Sequence, residues 1–312
     1  MSDLMRLACK THMPRTKKVR LRVMSFNVWG AGTNAGKSVR ETAAVLRASG
    51  ADIIGLQETR PETQLHLACA RGTPSTAARL ARALGFFWHD QTETCNGANW
   101  SSAILSRYPI VARTPHDLGV LIDVGGRVFA FNVQLPDCPS QSFQVRGLEY
   151  CGAPVLHTAR QAVRAAQAAR RPATATLLED LSVARSADAV FVLGDLNEPS
   201  HRDWTARTAA VGRHAFAVPF PTARAIEALG FTDTYRAAFP DEVTHPGYTW
   251  ESLRHRRQRA SGPPDRIDYV FARGPRLGVE RVEIVGESTR AADLVVTPWP
   301  SDHRAVMATV TL

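Results

Sequence analysis

Residues 189–193, Ala-Val-Phe-Val-Leu, are apolar without a break and run directly into Gly194-Asp195-Leu196-Asn197-Glu198-Pro199. A short apolar run closed by turn formers reads as a strand buried on both faces. That pattern sets Asp195 and Asn197 at the strand's carboxyl end, where α/β folds present their chemistry. Gly, Asp and Asn are also ordinary turn residues, so this stretch alone fits a surface turn equally well.

The same ending recurs along the chain. Ser25-Phe26-Asn27, Leu56-Gln57-Glu58, Arg266-Ile267-Asp268 and Ser301-Asp302-His303 each set a carboxylate, amide or imidazole beside an apolar run. One such ending carries no information. Five of them point to a shared pocket at one edge of a sheet.

The rest of the chain supports this reading. Val19–Val28 and Ala51–Leu56 are expected as strands, with a helix from Ser38 to Arg47 whose Glu41 completes a capping box. Thr76–Leu84 reads as an Ala-rich amphipathic helix, and Phe86–His89, Ser102–Leu105 and Val128–Leu135 as strands between turns. From Val155 to about Ala184 two helical runs are expected, broken near Pro172. Helices follow near Asp203–Ala210, Ala223–Leu229 and Asp233–Phe239, then strands at Arg266–Phe271, Val279–Val285 and His303–Leu312. No repeat or linker interrupts this order, so residues 19–312 are expected to form one domain behind a loose basic arm, residues 1–18.

A net charge of +9 and a pI near 9.8 favour an anionic partner without choosing among metabolite, nucleic acid and membrane surface. The five cysteines, Cys9, Cys69, Cys95, Cys138 and Cys151, are too few and too scattered for a disulfide framework, although a Cys138–Cys151 bridge stays open. With no apolar run long enough for a signal sequence or a membrane span, the cytoplasm is the expected location.

Taken in order, Phe26-Asn27-Val28, Leu56-Gln57-Glu58-Thr59, Gly194-Asp195-Leu196-Asn197, Asp265-Arg266-Ile267-Asp268-Tyr269 and Ser301-Asp302-His303-Arg304 resemble the motifs of the endonuclease/exonuclease/phosphatase superfamily, the deoxyribonuclease I-like proteins. The resemblance spans about Val19 to Leu312 and lies nearer the bacterial phosphatase-like branch than the DNA-repair branch. It implies an α/β fold, a four-layer sandwich of two packed mixed β-sheets flanked by helices, with the site at one end. It also implies divalent-metal-dependent hydrolysis of a phosphoester, here of a small phosphorylated substrate.

Such chemistry needs a hard cation, an oriented water and charge stabilisation on the phosphoryl oxygens. Magnesium prefers carboxylate oxygen, which suits Glu58, with manganese or calcium as alternatives. By resemblance, Asn27 stands beside Glu58 as ligand or hydrogen-bond partner, and Asp302 completes the acidic cluster near the metal. Asp195 orients or deprotonates the water, and Asn197 donates its amide to the phosphate. His303 binds the scissile phosphate, with Asp268 on its other ring nitrogen.

One residue departs from the family pattern. Gln134, in Phe131-Asn132-Val133-Gln134-Leu135, stands where many relatives carry a histidine that assists the leaving group or binds phosphate. Glutamine donates a hydrogen bond but transfers no proton near neutral pH. Gln134 is therefore expected to contact substrate, with slower turnover, a better leaving group or a non-catalytic binding role as consequences. His157 and His201 are expected as surface residues rather than substitutes.

Two further readings compete. Residues 31–38, Ala-Gly-Thr-Asn-Ala-Gly-Lys-Ser, fit a permissive P-loop between strand and helix, with Val190–Asp195 as its acidic partner strand. That reading leaves Glu58, Asp268, Asp302 and His303 unexplained. A nuclease would need phosphate-contacting side chains on loops, for which Arg254, Arg256, Arg257 and Arg259, with Trp250 stacking on a base, are candidates. Trp29, Trp100, Trp204 and Trp299 are expected to pack or to line pocket walls.

Overall fold

The computed structural model describes residues 18–61, 75–91, 98, 101–148, 150–250 and 264–312. Strand β1 (Arg20–Asn27) is followed by helix α1 (Val39–Ser49) and strand β2 (Ile53–Gln57). Ser38 caps α1, and the Glu41 carboxylate returns to the Ser38 N–H at 2.8 Å, the expected capping box. Then come α2 (Ala77–Leu84), β3 (Phe87–Asp90), β4 (Ala103–Ser106), β5 (Ile110–Arg113), β6 (Gly119–Asp123) and β7 (Arg127–Gln134). Helices α3 (Gln141–Val145) and α4 (Ala159–Asp180) lead to β8 (Ala189–Asp195). The chain continues through α5 (Ala206–Ala210), α6 (Pro221–Glu227), β9 (Thr232–Asp233) and α7 (Thr234–Ala238). It closes with β10 (Asp268–Arg273), β11 (Gly278–Gly286), β12 (Leu294–Val295) and β13 (Ala305–Thr311).

These strands make two mixed sheets packed face to face. One has the order β12-β11-β13-β1-β2-β4-β3 and the other β5-β6-β7-β8-β10-β9. Strand β1 runs parallel to β2 and antiparallel to β13, while β8 runs parallel to β7 and antiparallel to β10. Leu21 and Val23 of β1 meet Ala189, Phe191 and Leu193 of β8 in the core between the sheets. The alternate residues, Met24 and Phe26 or Val190 and Val192, face outward under helices. Each such side chain contributes about 1.5–3 kcal/mol by leaving water. The unbroken apolar runs follow from this geometry, because both faces of the central strands are covered.

The inward set of β1 continues through Ser25 to Asn27, and that of β8 continues to Asp195. In β10 the inward set is Asp268, Val270 and Ala272, with Asp268 paired opposite Asp195. Three polar side chains thus emerge from the same inter-sheet layer at one end of the sandwich. Gly194 is required one step earlier: a Cβ there would lie 2.4 Å from the Val133 carbonyl oxygen on the neighbouring strand.

One expectation changes, and two features left unread or open are added. Helix α4 runs unbroken through Pro172, because Ala166, Ala173 and Leu177 bury a face on both sides of it. The Thr176 hydroxyl also donates to the Pro172 carbonyl at 3.1 Å. Strands β5 and β6 carry too little alternation to be read from the sequence, and β5 is largely exposed. Cys138 and Cys151 form a disulfide. The basic arm through residue 17, Cys9, Cys69, Cys95, Trp100 and the Arg254–Arg259 patch lie outside the described residues. Among those described, no helix is long and apolar enough to cross a membrane.

Candidate active site

All five strand endings converge. Asn27 Nδ2 lies 2.9 Å from Glu58 Oε1, 3.0 Å from Asp195 Oδ2 and 3.4 Å from His303 Nε2. His303 Nδ1 is 2.9 Å from Asp268 Oδ2, which directs Nε2 towards Asn27 and Asp195. The His303 backbone N–H donates to the Ser301 hydroxyl, which itself donates to the Asn27 carbonyl at 2.7 Å. The last motif is thereby fastened to the first. Asp268 therefore pairs with His303, while Arg266 bonds Asp203 and Asp233 instead.

Glu58 sits just beyond β2 with φ 56°, and Asn197 just beyond β8 with φ 48°. Left-handed backbone is unfavourable for residues with a Cβ and collects where function over-determines it. At Glu58 the turn lets Oε2 accept from the Gly30 N–H at 3.0 Å and Oε1 accept from Gln134 Nε2 at 3.0 Å. At Asn197 it lets the backbone N–H donate to Asp195 Oδ1 at 2.9 Å. The Asn197 side-chain amide donates to the Leu135 carbonyl at 3.0 Å, beside the cleft.

The electrostatics shift the proton affinities of all three groups. Burial and then the Asp268 charge push Asp195 up to about 8, against the opposing pull of His303 and of donors from Asn197 and Asn27. Burial and the nearby Asp302 raise Glu58. Burial alone would lower His303, but Asp268, Asp302 and Asp195 hold it well above the ordinary imidazole range. A positive imidazole thus faces two carboxylates with elevated proton affinity.

Glu58, Gln134, Asp195, Asn197, Asp302 and His303 line one cleft of about 250 Å³. Asp137, Tyr150, Trp29 and Trp250 complete its wall. Among the described lining residues four are carboxylates and none is Lys or Arg. A phosphate anion entering that field needs a cation beside the carboxylates. Glu58 and Asp302 are close enough for one charge to oppose ionisation of the other, which is the donor arrangement a hard divalent ion relieves. Asn27 Oδ1 accepts from the Trp29 N–H at 2.9 Å and keeps a second lone pair, while its nitrogen faces Glu58 and Asp195. Asp195, Asp268 and His303 also bring ligand atoms within 4.8 Å of one another. In that trio the His303–Asp268 bond occupies one nitrogen and one oxygen.

Other expectations resolve as follows. Lys37 pairs with Glu41 at 3.6 Å, and β1 and β8 lie in different sheets, so residues 31–38 lack the partner strand of a P-loop. His157 is exposed and His201 pairs with Glu227; neither lines the cleft. Trp204 and Trp299 are core residues, while Trp29 and Trp250 are cleft walls. Trp250 Nε1 donates to Asp302 Oδ2 at 3.3 Å. Asp137 and Tyr150 were not signalled: each lies in an irregular segment, and no periodicity marks them.

A profile of the Endonuclease/Exonuclease/phosphatase family matches residues 24–303. The uncharacterized Caenorhabditis elegans protein F14F9.5 is 23% identical over 308 residues, covering 93% of this chain and 91% of its own. Among solved structures, an endonuclease/exonuclease/phosphatase protein from Beutenbergia cavernae superposes with a TM-score of 0.55 at 21% identity, over 94% of this chain and 72% of its own. The 3' phosphatase NExo from Neisseria, bound to a product DNA hairpin, gives a TM-score of 0.53 at 18% identity, over 92% and 98%.

Proposed function

The chain belongs to the endonuclease/exonuclease/phosphatase family, and from that premise we propose that it is a divalent-metal-dependent phosphoester hydrolase acting on a small phosphorylated substrate. The observation that carries this reading is the junction at Asn27, whose amide nitrogen donates to Glu58 and Asp195 with His303 Nε2 beside them at 3.4 Å. Magnesium held by Glu58 and Asp302 would neutralise the phosphoryl oxygens and polarise the ester.

The protein's own residues divide the remaining work. Asp195, buried and raised in proton affinity, accepts the proton of the attacking water; Asn27 and the Asn197 N–H fix its two oxygens. His303, charged and held by Asp268, donates from Nε2 to a phosphoryl oxygen. The Asn197 amide supplies a second donor on exchanging Leu135 for the phosphate. Gln134 holds Glu58 in place, so its family position supports the metal carboxylate here.

The test is phosphate release from a panel of phosphomonoesters and phosphodiesters, with and without chelator. Release should need the metal, and Asp195→Asn should lower turnover about 10²–10⁴-fold without changing the melting temperature appreciably. A fully active Asp195→Asn enzyme would remove Asp195 from the water-activating role.

Nucleic acid is the second reading, favoured by the charge of +9 and by the DNA hairpin bound to NExo. A DNA or RNA hairpin in the same panel separates the two, since a polyanion reader loses activity steeply with added salt. The exposed Cys138–Cys151 bridge is more usual in oxidising compartments and weighs against the cytoplasm expected from the sequence. Alkylation of protein taken directly from cells decides this, because a cytoplasmic pool should expose both thiols without reductant.

A further inference from the structure

On the wall of the cleft Tyr150 and Asp137 form a pair that the hydrolytic steps do not use. The Tyr150 hydroxyl donates to Asp137 Oδ2 at 2.9 Å. Both residues line the cleft with Glu58, Asp195 and His303. The pair is firmly placed. Asp137 precedes Cys138 and Tyr150 precedes Cys151, so the disulfide joins the two segments directly beside it. The Tyr150 ring packs 5.3 Å from Phe143, and Phe143 packs 5.6 Å from Trp250, which flanks His303.

Resting on the phosphoester reading, we infer that Tyr150 and Asp137 select the alcohol portion of the substrate, favouring a short alcohol that carries a hydrogen-bond donor, a hydroxyl or an ammonium group. The phenolic proton is committed to Asp137, which leaves only acceptor oxygens to face the cleft. Burial, Asp137 and the carboxylates of Asp195 and Glu58 all raise the Tyr150 phenol, so it stays protonated at neutral pH. A purely alkyl group leaves these oxygens desolvated and unpaired, and a second phosphate meets the Asp137 charge with no Lys or Arg among the described lining residues. Rejection of the donor-lacking analogue follows from the same logic by which hydrogen-bonding sites discriminate most strongly.

Three probes of similar size test this: glyceryl, aminoethyl and n-propyl phosphate. Their binding to the magnesium-loaded Asp195→Asn protein is measured by calorimetry, and kcat/KM is measured in parallel on the unmutated enzyme. Glyceryl phosphate should be preferred over propyl phosphate by about five- to tenfold, the worth of one or two hydrogen bonds. In Tyr150→Phe the ratio should fall by about two- to threefold, because the phenolic oxygen is lost while the Asp137 carboxylate remains as an acceptor. Asp137→Asn keeps an acceptor for the phenol but loses the charge, so it should lose the aminoethyl preference and retain part of the glyceryl one. An aminoethyl preference that survives in Asp137→Asn would assign it to the metal carboxylates and count against the pair. Equal handling of all three probes by the parent protein, or a preference intact in Tyr150→Phe, overturns the inference alone. Failure of every probe both to bind and to react would sink the small-phosphoester reading along with it.

Discussion

Asn27 commits its two amide hydrogens to Glu58 and Asp195, with the His303 imidazole 3.4 Å away, and that economy makes the centre sensitive to each neighbour. Glu58 takes hydrogen bonds from Asn27, Gly30 and Gln134. Gln134 is 2% exposed, and its Oε1 has no hydrogen-bond partner among the described residues. Its donor therefore serves the carboxylate, and a direct role at the leaving group would require breaking that bond. Gln134→Met should weaken magnesium activation by about ten- to a hundredfold, as loss of a partner behind a metal ligand does. Turnover at saturating magnesium should change far less. A fall in kcat with an unaltered magnesium midpoint would instead place Gln134 against substrate.

At the scale of elements, helix α4 braces the turn after β8. Arg170 is 1% exposed and donates to the Asn197 carbonyl at 2.6 Å, while lying 3.8 Å from Glu198. It also bonds Gln141 and so ties the segment leading to Tyr150. Arg170→Met strands Glu198, whose carboxylate burial already pushes up towards protonation, and should cost about 3 kcal/mol in urea unfolding. The same variant should lower kcat, because the left-handed Asn197 loses its brace; unchanged stability would show that the pair contributes nothing. Two residues on, Pro172→Ala should stabilise α4 by up to about 3 kcal/mol, since the helix already continues through that position. A destabilised Pro172→Ala protein would mean that the ring itself packs usefully. These elements show what the sequence made legible. Strands β1, β2, β8 and β13 were readable because covered sheets leave continuous apolar runs, and α1 because its capping box is local. Pro172 misled because propensity lost to burial on both sides of it. The core of the site was legible as five strand endings, since a strand's inward face fixes where its last side chain points. Tyr150 and Asp137 were not, because a disulfide and a ring stack place them, and both are long-range facts.

At the scale of the molecule, a buried charged network sets how β10 enters the site. Arg266 bonds Asp233 at 2.7 and 3.1 Å and Asp203 at 3.0 Å, and Arg236 bonds Asp203 at 2.7 Å. The Arg266 guanidinium also lies over the rings of Tyr235 and Tyr269. Two residues later Asp268 meets His303, so this network anchors the strand that orients the imidazole. Burial alone would raise Asp233, but Arg266 and Arg236 more than offset it and hold the carboxyl below its ordinary value. A folded-state pKa below the unfolded one contributes stability that is fully present above about pH 4 and is lost as pH falls through the folded value. Asp233→Asn removes that dependence and leaves Arg266 short of a partner, so at pH 7 it should be about 3–5 kcal/mol less stable than the parent. Urea unfolding at pH 7, 5, 4 and 3.5 checks the sign: the gap between parent and variant should hold from pH 7 to 5 and begin to narrow below about pH 4. A gap that stays constant over the whole range would mean that Asp233 titrates alike in both states and that the network acts only through packing. Activity should follow a different course, because Asp195 and His303 respond to pH through a separate set of neighbours. A loss of turnover well above the pH at which stability declines therefore belongs to the cleft, and a coincident loss belongs to the anchor behind it.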